Sequence, residues 1–312
     1  MTINYAIETI GLSRRFGSTL AVDNLDLKVQ SGSLCALMGP NGAGKTTLIK
    51  ILLRMLPPTS GTASVLGKLS AKIEQSDFQR IGYVSENQQL PEGITAAQLF
   101  AYCRRIYRGW DQHFCKKLCA ELDLPLNRPL GKCSRGQSMK ALLISSIAFS
   151  PELLIMDEPF SGLDPLTREE FASGLISVAG EGDWSMLISS HDVDDVERIV
   201  DHAAIINTGQ SVANLDLEKM RADWRTVEVV LPDSPKQQDL SHLPEKWIGA
   251  IISGRRLKFT DTAFDPGFCQ RELTQRLGAV VEFSSHPLSL RDAYVELAKS
   301  WKQSDANRAI VT

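Results

Sequence analysis

No apolar stretch of the 312-residue chain approaches the ~18–20 residues that a membrane-spanning helix needs. The most apolar runs, around Ala141–Phe149 and Leu153–Met156, are short and read as buried core. The first residues, Met1-Thr2-Ile3-Asn4-Tyr5, lack the basic start and apolar segment of a secretory signal. The expectation is a cytosolic protein, and work at a membrane would need another chain to supply the span. Charge of one sign is also lacking. Lys+Arg is 34 and Asp+Glu is 37, so 34 − 37 gives a formal net charge of −3, without the global basic charge of a dedicated nucleic-acid binder. Cysteine is sparse and irregularly spaced: Cys35, Cys103, Cys115, Cys119, Cys133 and Cys269 form no disulfide framework. His113, Cys115 and Cys119 lie close together, but a fourth ligand at zinc-site spacing is missing, so ordinary semi-buried thiols are expected. There is no internal repeat, no low-complexity tract and no Asn-Lys dipeptide. The last absence excludes a small GTPase, whose guanine-reading N-K-x-D could not be built.

What is present is an α/β pattern followed by a change of character. Ser33–Met38, Leu153–Asp157 and Met186–Ser190 read as continuous apolar strands of a parallel sheet covered on both faces, with a helix over Thr46–Met55. From Ile94 to Phe149 the chain reads as wholly helical, with Thr95 and Asp111 as caps and Pro125 and Pro129 as breaks. This block, about residues 90–150, is an inserted helical subdomain. Past Met220 the pattern becomes a small α+β domain. Strands are expected at Val227–Leu231, at Trp247–Ile252 and Arg256–Phe259 around a Ser253-Gly254 turn, and at Ala279–Phe283. Helices are expected at Phe268–Leu277 and after Ser289, where Leu290, Ala293, Tyr294, Leu297, Ala298 and Trp301 make one apolar stripe. The expected domains are residues 1–219 and 220–312, with a flexible tail from about Gln303. Trp247 and Trp301 are assigned to the core of the second domain.

The chemistry concentrates in Gly39-Pro40-Asn41-Gly42-Ala43-Gly44-Lys45-Thr46-Thr47, which matches G-x-x-x-x-G-K-[ST] between a strand and a helix. Its glycines let successive backbone N–H groups point into one hollow, and the helix N-terminus adds positive potential, so the loop can hold a polyphosphate. Lys45 would reach the β- and γ-phosphates, and the Thr46 hydroxyl would coordinate Mg²⁺. A second signal is Leu153-Leu154-Ile155-Met156-Asp157-Glu158-Pro159, a buried strand with two carboxylates at its carboxyl end, where open α/β sheets bind ligands. Asp157 would hold Mg²⁺ and Glu158 would polarise the attacking water.

In this order of motifs, over residues 3–215, the sequence resembles the ATP-binding cassette (ABC) family. The resemblance implies a P-loop NTPase fold, mainly a parallel sheet with an antiparallel part, and further site residues. Phe16 lies where the family places the aromatic residue that stacks on adenine. Glu86 lies where the family has a glutamine that senses Mg²⁺ and the attacking water. Cys133-Ser134-Arg135-Gly136-Gln137 matches the signature, whose Ser134, Arg135, Gly136 and Gln137 would close over ATP held by a second copy, head to tail. Asp164, in Ser161-Gly162-Leu163-Asp164, lies in the loop that crosses the dimer interface, and His191 matches the γ-phosphate histidine. The implied function is ATP hydrolysis, with Lys45, Glu158 and His191 as catalytic residues. The implied cofactors are ATP and Mg²⁺. The implied partners are integral-membrane permease subunits and a second ATP-binding subunit, on the cytoplasmic face of the membrane, with no nucleic acid. The segment Ser289–Leu297 is similar to the ending of ATPase subunits of bacterial multidrug- and antibiotic-type exporters, which tilts the reading to export.

The chain departs from the family pattern at Cys133 and Arg135, at Glu86, and at Phe160, which is assigned only packing. A solvent-facing side chain is expected for Arg135 and a phosphate contact is its alternative. His113, His202, His242 and His286 are assigned surface or structural roles, and Arg104, Arg105 and Arg108 a solvated face. Two competing functions are a soluble ABC ATPase acting on nucleic acid or ribosomes, and a nucleotide-gated regulatory module without useful turnover. The single phosphate loop and the lack of a heptad run speak against the first. The presence of both Glu158 and His191 speaks against the second.

Overall fold

The structure is a computed structural model that describes residues 4–180, 182, 184–233 and 243–309. His242 lies outside the described residues. The chain divides into two compact units, Met1–Asn214 and Leu215–Thr312.

The first unit begins with two long antiparallel strands, β1 (Tyr5–Phe16) and β2 (Thr19–Gln30). Then come β3 (Leu34–Met38), helix α1 (Lys45–Leu52), β4 (Ser60–Val65), β5 (Lys68–Leu69) and β6 (Ile81–Ser85). The helical block contains α2 (Ala96–Ile106), α3 (Gln112–Glu121) and α4 (Arg135–Ile147). It is followed by β7 (Leu153–Asp157), α5 (Pro165–Ala179), β8 (Ser185–Ser190), β9 (His202–Asn207) and β10 (Gln210–Asp216). The strands form a four-stranded sheet, β2-β1-β4-β5, and a six-stranded sheet, β10-β9-β3-β8-β7-β6.

In the six-stranded sheet β3 is parallel to both β8 and β9, and β7 to both β6 and β8. Leu153, Leu154, Ile155 and Met156 are fully buried, which is why this strand reads as an unbroken apolar run. Parallel register has a direct consequence for function. Met38 pairs with Ser190, Asp157 with Ser189, and Ser85 with Asp157, so the loops after β3, β6, β7 and β8 emerge side by side at one carboxyl edge. The caps of the helical block fall where expected: Thr95 forms a capping box with Gln98, and Asp111 accepts from the amides of His113 and Phe114. Arg104, Arg105 and Arg108 face solvent, while Phe160 is buried edge-on against Phe171 with ring centroids 5.5 Å apart.

The second unit holds α6 (Leu217–Asp223), β11 (Arg225–Val230), β12 (Trp247–Ser253), β13 (Arg256–Asp261), α7 (Pro266–Leu277), β14 (Glu282–Pro287) and α8 (Leu290–Ala309). Its antiparallel sheet has the order β12-β13-β11-β14. The hairpin turns at Gly254, with φ +59°. Trp247 is in the core, with its indole N–H on buried Asp261 at 2.9 Å. Trp301 is only half-buried and meets Tyr294 edge-on. The strand expected at Ala279–Phe283 begins instead at Glu282, because Gly278 at φ +84° turns the chain and Val281 is exposed.

Candidate functional site

The hollow at the carboxyl edge of the six-stranded sheet has a volume of ≈ 220 Å³ and is lined by Ala21, residues Asn41 to Thr47, Glu86 and Glu158. Backbone geometry explains the glycines at its two ends. A Cβ on Gly39 would lie 2.3 Å from the Ile206 carbonyl oxygen, and one on Gly44 would lie 2.4 Å from that of Ala21. Gly44 also has φ +102°, a conformation other residues rarely adopt, immediately before α1 begins at Lys45. Gly44 and the first residues of α1, Lys45 to Thr47, thus line the hollow.

Lys45 is buried, and its ammonium donates to the carbonyls of Gly39 at 2.7 Å and Pro40 at 3.3 Å. It also lies 3.1 Å from Glu158 Oε1. The other carboxylate oxygen of Glu158 is 2.8 Å from His191 Nδ1. Glu158 has φ +52°, a left-handed conformation strained for a non-glycine residue, and its amide donates to Ser189 Oγ at 2.9 Å. Asp157 is 2 % exposed, and its Oδ1 accepts from Ser189 Oγ at 2.7 Å and Thr46 Oγ1 at 3.2 Å. Burial raises its pKa above the usual carboxylate value. The Ser189 and Thr46 bonds oppose this, and the charges of Glu158 and Glu86 add to it. Ser189 thus ties Asp157 to the Glu158 backbone. The sequence reading gave Ser189 no role, although it stands beside His191 and is the register partner of Asp157.

None of the signature residues lines the hollow itself. Ser134 caps α4: its Oγ accepts from the Gln137 amide, and the Gln137 side chain accepts from the Ser134 amide, both at 3.1 Å. Ser134 and Arg135 are exposed. Gly136 is buried against α5, where a Cβ would come within 2.1 Å of Thr167 Cγ2. Asp164 caps α5 through the Thr167 amide at 3.1 Å and the Thr167 hydroxyl at 2.6 Å, and that hydroxyl bond is the main reason its pKa is lowered. Arg135 is half exposed, yet its Nη2 lies 3.3 Å from Glu86 Oε2. Arg135 thus faces solvent, as expected, and also reaches Glu86. Phe16 is exposed, stacked under the Arg14 guanidinium at 4.6 Å, and is not among the residues lining the hollow.

The other candidates stay separate. Cys115 and Cys119 hydrogen-bond each other inside the helical block, and all six cysteines are free. Among the described residues, no group of three or more His, Cys, Asp or Glu side chains is arranged to hold a metal ion by itself. That is compatible with Mg²⁺, which takes one or two carboxylates and completes its shell with water and substrate phosphates. Asp157 fits such an ion. It is a hard oxygen donor in a buried place whose bonded side chains are neutral hydroxyls, and Thr46 offers a second oxygen beside it. Among the described residues no helix is long and apolar enough to cross a membrane.

A glycine loop between strand and helix, with a carboxylate at the end of another strand of the same sheet, defines a P-loop nucleoside triphosphatase. The family profile described as ABC transporter matches residues 22–161. The bacitracin transport ATP-binding protein BcrA of Bacillus licheniformis is 30% identical over 233 residues, covering 74% of this chain and 76% of that protein. The Nod factor export ATP-binding protein I of Burkholderia lata is 31% identical, covering 93% of this chain and 96% of that protein. The osmoprotectant import ATP-binding protein OsmV of Salmonella typhimurium is 32% identical over 62% of this chain and 52% of that protein. A solved ATP-binding subunit of an ABC transporter superposes with a TM-score of 0.61 at 26% identity, covering 70% of this chain and 92% of that one. The chain belongs to the ATP-binding subunits of ABC transporters. It binds ATP and hydrolyses it to power transport across a membrane. Such subunits work with membrane permease partners.

Proposed function

We propose that ATP lies with its phosphates in the hollow after Met38 and is hydrolysed there by Glu158, His191 and Lys45. The observation that carries this reading is the convergence of Lys45, Glu158 and His191 through contacts of 3.1 and 2.8 Å, beside the glycine loop that lines the hollow. Lys45 exchanges its carbonyl contacts for β- and γ-phosphate oxygens. Glu158, released from Lys45, accepts a proton from the attacking water, and His191 holds the carboxylate oriented. The loop amides and Lys45 stabilise the charge of the transferring phosphoryl group. Asp157 and Thr46 would hold Mg²⁺, with Glu86 on the wall of the same hollow, and the ion would neutralise phosphate charge. Phe16 supports the adenine.

Ser134, Gly136, Gln137 and Asp164 meet a second copy, so that two ATP molecules are sandwiched head to tail. The exposure of Ser134 and Asp164 supports this, since both lie at the surface of the single chain. The dimer works on the cytoplasmic face of the membrane, docked to permease chains. The direction is export, as in the name of the Nod factor relative, whose match spans 93% of this chain, with a substrate class set by the permease.

Phosphate release tests the chemistry. Glu158→Gln should keep ATP binding while turnover falls by roughly 10²–10⁴-fold, the range for loss of a general base. Background phosphate release from the parent with Mg·ATP bound, even beside its permease, would leave a nucleotide-gated switch instead. Purification from detergent-solubilised membranes identifies the permease, and inside-out vesicles holding both chains test export: ATP-dependent accumulation supports it and efflux opposes it.

A further inference from the structure

Glu86 carries its carboxylate on the wall of the same hollow that holds Glu158, so two negative side chains border a place read as a polyphosphate site. Its Oε2 is 3.3 Å from Arg135 Nη2. Arg135 is the first residue of α4 and is set there by the Ser134 cap. Its guanidinium also fills the space above Gly162, where a Cβ would lie 2.8 Å from Arg135 Cζ. Gly162, at φ +68°, belongs to the turn between Glu158 and Asp164. Arg135 therefore stands at the junction of three loops: the end of β6, the start of α4, and the turn before α5. The two side chains are 49 % and 27 % exposed, and an ion pair so wet adds little to fold stability. What it changes is the local charge beside the hollow. An anion entering there feels Glu86 at short range, where water and salt screen incompletely.

We propose that Arg135 is a positioning residue for Glu86, neutralising the carboxylate and holding it toward the α4 corner so that Mg·ATP can bind beside it. This rests on the reading of the hollow as the Mg·ATP site. Arg135 and Glu86 then act as one unit, and losing either charge alone differs from losing both.

The test is a double-mutant cycle on the full chain. Mg·ATP affinity is measured by equilibrium titration at two salt concentrations for the parent, Glu86→Gln, Arg135→Gln, Arg135→Lys and the Glu86→Gln/Arg135→Gln double variant. Arg135→Gln should weaken Mg·ATP binding roughly three- to tenfold, less at high salt. Arg135→Lys should stay closer to the parent. The double variant should return to within about twofold of the parent, a non-additivity that a merely structural role does not produce. Thermal midpoints without nucleotide check that all five chains are folded alike. Parent-like binding by Arg135→Gln overturns the proposal. So does a double variant as weak as Arg135→Gln, which instead marks Arg135 as a direct phosphate ligand. A parent chain that does not bind Mg·ATP removes the reading of the hollow itself, whereas parent binding with additive losses removes only the pairing.

Discussion

Asp157 and Glu158 are neighbours in sequence with opposite surroundings. Asp157 is buried among neutral hydroxyls, while Glu158 is held between an ammonium and an imidazole in a strained backbone conformation. Adjacent carboxylates can divide labour when their environments differ in this way. Because burial raises the Asp157 pKa, its capacity for Mg²⁺ should fail at a higher pH on acidification than an ordinary carboxylate's would. Asp195 offers a cleaner pH test. It is pushed up to about 6 from 3.8, first by burial, with Arg168 at 3.1 Å opposing. A raised pKa means that the folded state holds the proton more tightly than the unfolded one. The associated stability is fully present below about pH 4 and is lost as pH rises through about 6. Asp195→Asn should therefore be more stable than the parent at pH 7 by on the order of 1–3 kcal/mol, with a flatter profile between pH 4 and 6. Urea unfolding at a series of pH values measures both.

At the scale of elements, α4 and α5 show how a motif can have two jobs. Ser134 is a helix cap before it is anything else. Ser134→Ala should cost about 1 kcal/mol of stability. Ser134→Asp keeps the cap but adds a negative charge, so it should hold the thermal midpoint while weakening ATP-driven dimerisation, measured by light scattering. Gly136 brings α4 onto α5. Gly136→Ala would drive a methyl into Thr167, whose side chain is pinned by Asp164, and should cost about 1–3 kcal/mol. Thr167→Ser keeps the hydroxyl and removes the obstructing methyl, so the double variant should regain much of that loss in a melting curve.

The legibility of the sequence follows the same physics. Strands buried on both faces, such as β7, were readable as apolar runs, and capped helices such as α2 and α3 were readable from Thr95 and Asp111. β1 was not readable as an element, because its burial alternates irregularly and its register with β2 shifts at several points, whereas β2 does alternate at Leu25, Leu27 and Val29. The start of β14 was missed because apolar Val280 and Val281 imitate a strand, while pairing places Phe283 opposite Val229. The phosphate loop, Asp157 and Glu158 were legible because local spacing encodes them. The Ser189 tie and the Arg135–Glu86 pair were not, since each depends on loops that are distant in sequence and meet only through sheet register and helix placement.

At the scale of the whole molecule, the first unit carries every motif of ATP chemistry, and the second is a separate α+β body with its own core. None of the signature residues lines the phosphate hollow of its own chain, although Arg135 touches Glu86 on its wall. A Glu158→Gln chain that binds but does not hydrolyse ATP should accumulate as a dimer with Mg·ATP and revert to monomer without it, as read by light scattering.

Calorimetric titration of Mg·ATP into the parent and into Lys45→Ala tests the central assignment most directly. One nucleotide per chain is expected for the parent. Losing a charge-assisted contact from a buried ammonium should weaken binding about ten- to a hundredfold in the variant. Equal affinity in the two proteins, or no heat from either, would contradict the placement of the triphosphate in the hollow after Met38.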